Sequence, residues 1–211
     1  DNNFNKAVDA IVNCQSKIIL CGVGKSGLIA TKIASTLSSV GSPAFSLSAN
    51  DCLHGDLGSI TKKDVLVLIS NSGKSEEIIP IIKFANRNKI KLIGIVSRKN
   101  SLLYKASDIK ILLPEVKESG LGIVPTSSTS IQLAIGDALA IASLKRKQFS
   151  KYDFSRIHPG GNLGRQLKTV SDIMVSGRKI PFINENKSMK EALKLISQKK
   201  LGVAIACDKK K

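Results

Sequence analysis

The sequence predicts an α/β protein in which a five-stranded parallel β-sheet is covered by helices on both faces, giving three α-β-α layers. Five short and mainly apolar segments, which we interpret as strands without apolar–polar alternation, are separated by segments of helical character. Continuous apolar strands separated by helices are typical of a parallel sheet that is buried on both faces. In addition, glycine and hydroxyl residues gather at strand-to-helix turns, where free backbone N–H groups can bind an anion.

The predicted strands are short and contain few polar residues. They cover residues 17–21, 44–48, 64–69, 91–96 and 108–113. Helices are predicted at residues 26–40 and 78–88, and a long helix rich in Ala, Leu and Ile follows at 129–147. Apolar residues occupy more than one face of this long helix, so we expect it to pack between the sheet and a partner subunit.

The character of the sequence changes near residue 170. A strand candidate at 180–183, a helix that begins at Ser188 and runs to about Lys199, and a strand candidate at 202–206 form a β-α-β unit. Roughly forty residues are too few to bury a core alone, so we expect an incomplete second module. The predicted domains are residues 1–169 and 170–211, and we expect the chain to be a fragment at both ends.

Composition argues against several classes of function. The net charge of +17 suggests nucleic acid or a membrane surface, but the lysines are scattered and only 4% of residues are aromatic, which disfavours base stacking. Attraction of small phosphorylated anions explains the charge more economically. The longest nearly apolar stretch, residues 133–144, is too short to span a bilayer. We therefore predict a cytoplasmic protein with no nucleic-acid or membrane partner.

The four cysteines are widely spaced and contain no CxxC pair. This pattern fits neither a zinc site nor a disulfide framework, so reduced thiols are expected. No metal and no cofactor are predicted.

The turn at residues 70–77, between the third strand and the following helix, is the most informative segment. Its polar members are Ser70, Asn71, Ser72 and Ser75. A helix cap needs one hydroxyl, so three of them with a glycine indicate a phosphate grip more than a plain cap. Glu76 and Glu77 follow; one of them favours the positive end of the helix dipole, and the other is a candidate for proton transfer.

A glycine turn follows the first strand. Residues 22–27 match GxGxxG, but the end of the second strand offers no acid for a dinucleotide ribose, so the nucleotide reading weakens. Two interpretations remain open: a tight structural turn with a solvated lysine, or a turn at Gly24 and Ser26 whose Lys25 contacts an anionic or carbonyl-bearing substrate.

A third polar turn opens the long helix. The five consecutive hydroxyl residues at 126–130 exceed capping needs and indicate a second anion contact. Just upstream, Glu118 lies on a glycine-rich loop, either as an exposed acid or as a base directed into a cleft. The two histidines, His54 and His158, are flanked by glycines that let a backbone approach a ligand closely, which favours a functional role for each.

Taken in order, these segments resemble the sugar isomerase (SIS) domain, and more closely the arabinose-5-phosphate isomerases of bacterial lipopolysaccharide or capsule synthesis. The matching motifs are GVGKSG at 22–27, HGDLG at 54–58, SNSG at 70–73, PTSST at 125–129, GDALA at 136–140 and HPGG at 158–161. SNSG marks only a SIS domain, whereas HGDLG and HPGG together narrow the match. The segment from Val170 resembles the first of two CBS modules of longer members, here truncated.

The resemblance implies a reversible aldose–ketose isomerisation of ribulose 5-phosphate and arabinose 5-phosphate through an enediol, without a metal, for Kdo and lipopolysaccharide or capsule synthesis. The catalytic residues carried over by motif position are Lys25, Glu77, Glu118 and His158. The substrate-binding residues are Gly24, Ser26, His54, Ser70, Asn71, Ser72, Ser75, Thr126, Ser127, Ser128 and Thr129. Glu118 or His158 is expected to transfer the proton, and a carboxylate in that role needs a raised pKa. Lys25 is expected to polarise the carbonyl.

The resemblance also implies a homotetramer in which the HPGG histidine enters a neighbouring subunit's site. Two departures are Lys74, where the better-known pattern carries an acid, and a loop after Glu118 that is one residue shorter. Two alternatives stay open: a SIS isomerase of another sugar phosphate, such as a heptose or hexulose phosphate, and a phosphosugar sensor without turnover. Such sensors usually carry a DNA-binding helical domain, for which the sequence offers no candidate segment.

Overall fold

The computed structural model describes residues 2–159 and 168–208. The chain divides into two compact units, Asp1–Gly164 and Arg165–Lys211. The elements of the first unit are α1 (Asn2–Val12), β1 (Ile18–Gly22), α2 (Lys25–Ser39), β2 (Ala44–Ser48), α3 (Ala49–Cys52), a 3-10 turn (Asp56–Ser59), β3 (Val65–Ile69), α4 (Ile78–Arg87), β4 (Lys91–Val96), α5 (Leu102–Ala106), β5 (Ile109–Leu112), α6 (Ser127–Arg146) and α7 (Lys151–Ile157).

The five strands form one parallel sheet in the order β2-β1-β3-β4-β5. Successive strand residues enter different cores, because side chains alternate across a strand. Ile18 and Leu20 of β1 pack with residues of α1, α2 and α6, whereas Ile19 and Cys21 pack with residues of α3, α4 and α5. The predicted α/β class, with a buried parallel sheet between two helical layers, is confirmed.

Four helices of the first unit escape the sequence analysis: α1, α3, α5 and α7. Three of these are short, and each begins at a serine that accepts a backbone N–H three residues on: Ser48, Ser101 and Ser150. Helices of one or two turns contain too few residues to show an apolar period, so the cap is their main sequence signal. The longer α1 buries only three residues along one face.

One face of α6 packs on α1 and α2, a contact that the sequence analysis does not include. The buried residues of that face are Ser128, Gln132, Gly136, Leu139, Ala140 and Ser143. Gly136 allows the close approach, since a Cβ there would lie 2.2 Å from Cδ1 of Ile33 on α2. Ile141, on the opposite face of the helix, is 47% exposed, so an apolar residue remains available for the predicted contact with a partner subunit.

A buried carboxylate joins the amino-terminal ends of β1 and β3. Asp64, only 1% exposed, accepts hydrogen bonds from the Thr61 backbone N–H at 2.6 Å and the Lys17 ammonium at 3.1 Å. Burial alone would raise the pKa of Asp64, but the hydrogen bonds from Thr61, Ser16 and Lys17 outweigh burial and lower that pKa to about 2.

This arrangement predicts an acid-sensitive contribution to stability. Because the folded pKa of Asp64 lies below its unfolded value, the contribution is full above about pH 4 and is lost as the pH falls towards 2, for a total of about 2 kcal/mol. We expect Asp64→Asn to remove this part of the pH dependence in urea unfolding measured between pH 6 and pH 3. Asp9→Asn, at the exposed ion pair with Arg146, is the control. If the free energy of unfolding of Asp64→Asn fell between pH 6 and pH 3 as steeply as that of the wild type, the prediction would be contradicted.

The second unit contains α8 (Val170–Ile173), a 3-10 turn (Gly177–Lys179), β6 (Phe182–Asn184), α9 (Met189–Lys199) and β7 (Ile205–Cys207). β6 and β7 pair in parallel, which confirms the predicted β-α-β arrangement. Apolar side chains of the unit are widely exposed, including Phe182 at 55% and Leu193 at 60%. Assignment to a CBS module and the boundary between residues 169 and 170 stay predictions.

Candidate active site

The candidate site lies where the connections of the sheet change direction. From β1 the chain passes to β2 on one side, whereas β3 pairs on the other side of β1. In open α/β sheets, ligands bind at the carboxyl ends of the strands at such a switch point. Gly22 is in register with both Ser48 and Ile69, so the glycine turn after β1 and the hydroxyl turn after β3 begin side by side.

The glycine turn presents its backbone and Lys25 at this edge. Gly24 adopts φ +57°, and a Cβ there would meet no atom within 4 Å, so the turn is open above it. At Gly22 a glycine is required by packing, because a Cβ there would lie 2.8 Å from the Ser26 backbone. Lys25 is the first residue of α2 and is exposed. The geometry therefore leaves Gly24 and Lys25 accessible to a ligand.

Ser26 is engaged within the protein. Its hydroxyl donates to Oε1 of Gln132 on α6 at 3.1 Å. Gln132 is 1% exposed, and within the described part of the chain its Nε2 has no hydrogen-bond partner. Gln132 was not predicted as a site residue, because no spacing pattern in the sequence relates it to Ser26. Ser26 thus connects the glycine turn to the helix that carries the third polar turn.

The hydroxyl turn is closed by its own serines. Ser70 accepts the Gly73 backbone N–H at 3.0 Å, and its oxygen lies 3.3 Å from that of Ser75. Ser72 accepts the backbone N–H of Lys74 at 3.3 Å. These bonds preform the turn ahead of α4. In the described structure the backbone N–H groups of Ser75 and of the residue after it keep no protein acceptor, as an anion site requires.

A serine outside the turn fixes its second residue. The Ser97 hydroxyl, just after β4, donates to Oδ1 of Asn71 at 2.5 Å, and the Ser97 backbone N–H donates to the Asn71 carbonyl at 3.1 Å. Asn71 therefore holds the turn in place, and Ser97 is a site residue that the sequence analysis missed. Glu77 precedes α4, is half-buried, and its side chain makes no capping hydrogen bond to the start of this helix, while Glu76 is exposed. Their separate roles stay predictions.

Glu118 caps the long helix. Its Oε2 accepts the backbone N–H of Thr126 at 2.8 Å and that of Ser128 at 3.3 Å, with the Thr126 hydroxyl at 3.3 Å. Hydrogen bonds from the Ser128 hydroxyl and from the Thr126 and Ser128 backbone lower the pKa of Glu118 to about 2. In this conformation the carboxylate occupies the place of an anion at the start of α6.

The pKa of Glu118 is lowered because the hydrogen bonds stabilise the charged form, whereas a carboxylate that acts as a carbon base needs a raised pKa. The catalytic role of Glu118 stays a prediction. The other predicted phosphate-holding hydroxyls also serve the loop and the helix. Ser127 lies 3.4 Å from the Ser119 hydroxyl, and the Thr129 hydroxyl donates to the Thr126 carbonyl at 2.8 Å. Their part in substrate binding stays a prediction.

The capping geometry predicts how Glu118 titrates. We expect the amide protons of Thr126 and Ser128 to report a titration with its midpoint near pH 2, because protonation of Glu118 weakens both hydrogen bonds. The measurement is a pH series of amide NMR spectra, and Glu118→Gln, which cannot ionise, is the control that should abolish the transition. A midpoint above pH 4 would refute the capping role.

His158 ends α7. Its Nδ1 lies 2.9 Å from the Phe154 carbonyl, and its ring stacks on the Phe154 ring with centroids 3.8 Å apart. An Nδ1–H that donates to this carbonyl leaves the Nε2 lone pair free to accept a proton. His54, by contrast, is an exposed residue between α3 and the following 3-10 turn. Gly160 and Gly161 of the HPGG motif lie outside the described residues.

The four predicted catalytic side chains are not joined within one chain. No hydrogen bond or ion pair between described residues links His158 to Lys25, Glu77 or Glu118. Along residues 2–159 and 168–208, no group of three His, Cys, Asp or Glu side chains is placed to hold a metal ion. Nor does this part of the chain contain a helix long and apolar enough to cross a membrane. The four cysteines are free thiols.

Fold and site together define an α/β domain with a hydroxyl-rich turn at the switch point of its sheet. The family model for the SIS domain matches residues 11–142. The chain belongs to the SIS-domain family, as the motifs predict.

Curated relatives match nearly the whole chain. Arabinose 5-phosphate isomerase KdsD of Yersinia pestis is 44% identical over 99% of this chain, and the chain spans 64% of that relative's length. A solved structure from E. coli CFT073 in complex with arabinose 5-phosphate is 35% identical, with a TM-score of 0.68 over 75% of this chain and 93% of that chain. A Bacteroides fragilis structure, described as a candidate phosphosugar isomerase involved in capsule formation, is 37% identical, with a TM-score of 0.73 over 76% of this chain and 88% of that chain.

Proposed function

We propose that the chain carries the catalytic domain of an aldose–ketose isomerase that interconverts ribulose 5-phosphate and arabinose 5-phosphate through an enediol. The observation that carries the proposal is the preformed hydroxyl turn beside the Lys25 turn at the switch point. Its donors suit a phosphate, and an adjacent cation suits the oxygens of a reacting sugar. The isomerase name of the 44% identical relative and the arabinose 5-phosphate bound in the 35% identical structure support this choice of substrate.

In this proposal the sugar phosphate binds at the start of α4. The free backbone N–H groups there, together with the hydroxyls of Ser70, Ser72 and Ser75, surround the phosphate oxygens. The start of α6 is the weaker candidate, since its Thr126 and Ser128 donors hold the Glu118 carboxylate. Lys25 then polarises the carbonyl and stabilises the enediolate oxygen.

Proton transfer in this proposal falls to His158. Removal of a proton α to the carbonyl and its return at the neighbouring carbon need a group with a lone pair free to accept that proton. Glu118, whose pKa is about 2, is a poor carbon base, whereas the contact of the His158 Nδ1 with the Phe154 carbonyl leaves its Nε2 free. Glu77, half-buried beside the phosphate turn, is the group proposed to move protons between the two sugar oxygens.

The site is proposed to be shared between subunits of a cytoplasmic homotetramer. Two features of the first unit support this: His158 makes no hydrogen bond to the other catalytic candidates, and apolar residues beside the site are uncovered. Leu28 is 72% exposed, Leu121 is 88% exposed and Ile123 is 77% exposed. Surfaces of this kind mark protein interfaces. The pathway proposed is lipopolysaccharide or capsule synthesis, and the second unit is proposed to be part of a CBS module.

The test is isomerisation in deuterated water. With ribulose 5-phosphate as substrate, the proposal predicts that arabinose 5-phosphate appears with deuterium at C2. The measurement is the NMR signal of the C2 proton. Binding without exchange or product formation would overturn the enzyme proposal in favour of a sensor. Turnover of a heptose or hexulose phosphate in preference to ribulose 5-phosphate would overturn the substrate assignment.

A further inference from the structure

A cavity of about 690 Å³ lies beside the hydroxyl turn, at the carboxyl ends of β4 and β5. Its lining residues are Lys74, Ser97, Arg98, Lys99, Asn100, Leu112, Leu113, Pro114 and Glu115. None of the predicted catalytic or substrate-binding residues is among them. We refer to it as the basic cavity. Its volume lies within the range of about 300–1,000 Å³ that is common for small-molecule sites.

The basic cavity carries a surplus of positive charge. Lys74, Arg98 and Lys99 contribute three cations, and Glu115 contributes one carboxylate. None of these four side chains takes part in the ion pairs found within the described ranges, which join Lys17 to Asp64, Lys32 to Asp137, Arg146 to Asp9, and Lys187 to Glu191. The three cations are therefore available to a ligand.

The backbone that carries Arg98 and Lys99 is fixed. The Arg98 carbonyl accepts both the backbone N–H of Ser101 at 3.1 Å and its hydroxyl at 2.7 Å. At the other end of this loop, Ser97 is bonded to Asn71 through its hydroxyl and its backbone N–H. A loop held at both ends presents its cations with little ordering cost on binding.

The basic cavity also adjoins the phosphate turn through Lys74, a residue of that turn. The Lys74 backbone N–H donates to the Ser72 hydroxyl within the turn, whereas the Lys74 side chain lines the cavity. Lys74 supplies one of the three cations of the lining, so part of the surplus positive charge comes from a residue of the phosphate turn.

We infer that the basic cavity is a second anion site, which binds a compact ligand with at least two negative charges on phosphate or carboxylate groups. Arg98 supplies the planar fork that matches either group, and Lys74 and Lys99 add point charges. This site is distinct from the turn that is proposed to hold the sugar phosphate, and the inference does not depend on turnover.

The test uses pyrophosphate and citrate as probes, titrated separately by calorimetry into the whole chain in metal-free buffer. We expect the double variant Arg98→Gln/Lys99→Gln to bind the preferred probe at least tenfold more weakly. A doubly substituted control, Lys83→Gln/Lys105→Gln, removes two exposed lysines that do not line the cavity and should bind within twofold of wild type. The tighter of the two probes identifies phosphate or carboxylate as the ligand chemistry.

A second arm separates this site from the substrate site. With saturating arabinose 5-phosphate the probe should still bind, and Ser75→Ala should weaken the phosphosugar but not the probe. Equal losses in the two double variants, or complete displacement of the probe by the phosphosugar, would overturn the inference. Absence of isomerase activity or of phosphosugar binding would bear only on the proposed function. The comparison of the two double variants would still decide whether the basic cavity binds the anionic probe.

Discussion

Replacing His158 by alanine is expected to lower kcat for ribulose 5-phosphate about 10²- to 10³-fold, with KM changed less than about threefold. The reason is that the imidazole is proposed to transfer the proton in the transition state and not to hold the phosphate. Initial rates at several substrate concentrations separate the two parameters, and calorimetry with arabinose 5-phosphate gives the affinity independently. Wild-type activity in His158→Ala would remove this residue from the mechanism.

The control for this prediction is the other histidine. His54 is exposed and is predicted to line the substrate-binding site, so His54→Ala should change mainly KM. A second control, Phe154→Leu, removes the ring stacked on His158 but keeps the backbone carbonyl beside Nδ1. Its kcat should fall much less than that of His158→Ala. Equal losses in both variants would indicate a structural role for the histidine.

Sharing of the site between subunits gives the same substitution a sharper readout. His158→Ala and Lys25→Met subunits, each inactive alone, should regain activity when they are unfolded and refolded together. If each site takes its histidine from a neighbour, random mixing at equal amounts restores about one quarter of the sites. Activity that stays at the level of the separate variants would place both residues in the same subunit's site.

Much of the fold was accessible from the sequence because three strands, β1, β3 and β4, are nearly continuous apolar runs, whereas the edge strands β2 and β5 contain polar residues and are only partly buried. A run such as residues 64–69 has few alternatives to a buried strand, and the turns that follow such runs contain glycine and hydroxyl residues. The adjacency of the glycine and hydroxyl turns was not accessible. It depends on β1 pairing with β3, a contact between segments far apart in the chain.

The contacts that fix the site could not be predicted either, because they too join residues far apart in the chain. The Ser97 partner of Asn71 lies 26 residues along the chain, and the Gln132 partner of Ser26 lies 106 residues along it. Neither serine nor glutamine has a periodic or spacing signal that would reveal such a partner. The lowered pKa of Glu118 is likewise a product of the folded loop, which returns the carboxylate to the first turn of α6.

The two polar helix starts looked equivalent in sequence, and the structure distinguishes them. The start of α6 already holds an anion, the Glu118 carboxylate, whereas the start of α4 keeps free N–H donors behind a turn closed by its own serines. A phosphate at α6 has to displace Glu118, but a phosphate at α4 displaces only water. This difference is the physical reason for placing the sugar phosphate at residues 70–77.

Gly73→Ala is expected to destabilise the protein by about 3 kcal/mol and to abolish measurable phosphosugar binding. Gly73 adopts φ +64°, and a Cβ there would lie 2.4 Å from Oγ of Ser101 and 2.6 Å from Cγ2 of Val96. Its backbone N–H also closes the turn through Ser70. Relief of the overlap has to move the turn away from β4 and so disturbs the donors for the phosphate. Thermal unfolding should shift by about 6–12 °C, and calorimetry tests the binding.

The matched control for this change is Gly120→Ala. Gly120 has a nearly identical φ of +66°, but a Cβ there would meet nothing within 4 Å. It therefore carries the backbone penalty of about 1–2 kcal/mol without the overlap. The difference between the two variants isolates the contact with Ser101 and Val96, which we expect to account for about half of the loss, about 1–2 kcal/mol. Equal destabilisation by both substitutions would mean that the turn at residues 70–77 accommodates the added methyl group without cost. A rigid turn would then not be what positions the phosphate.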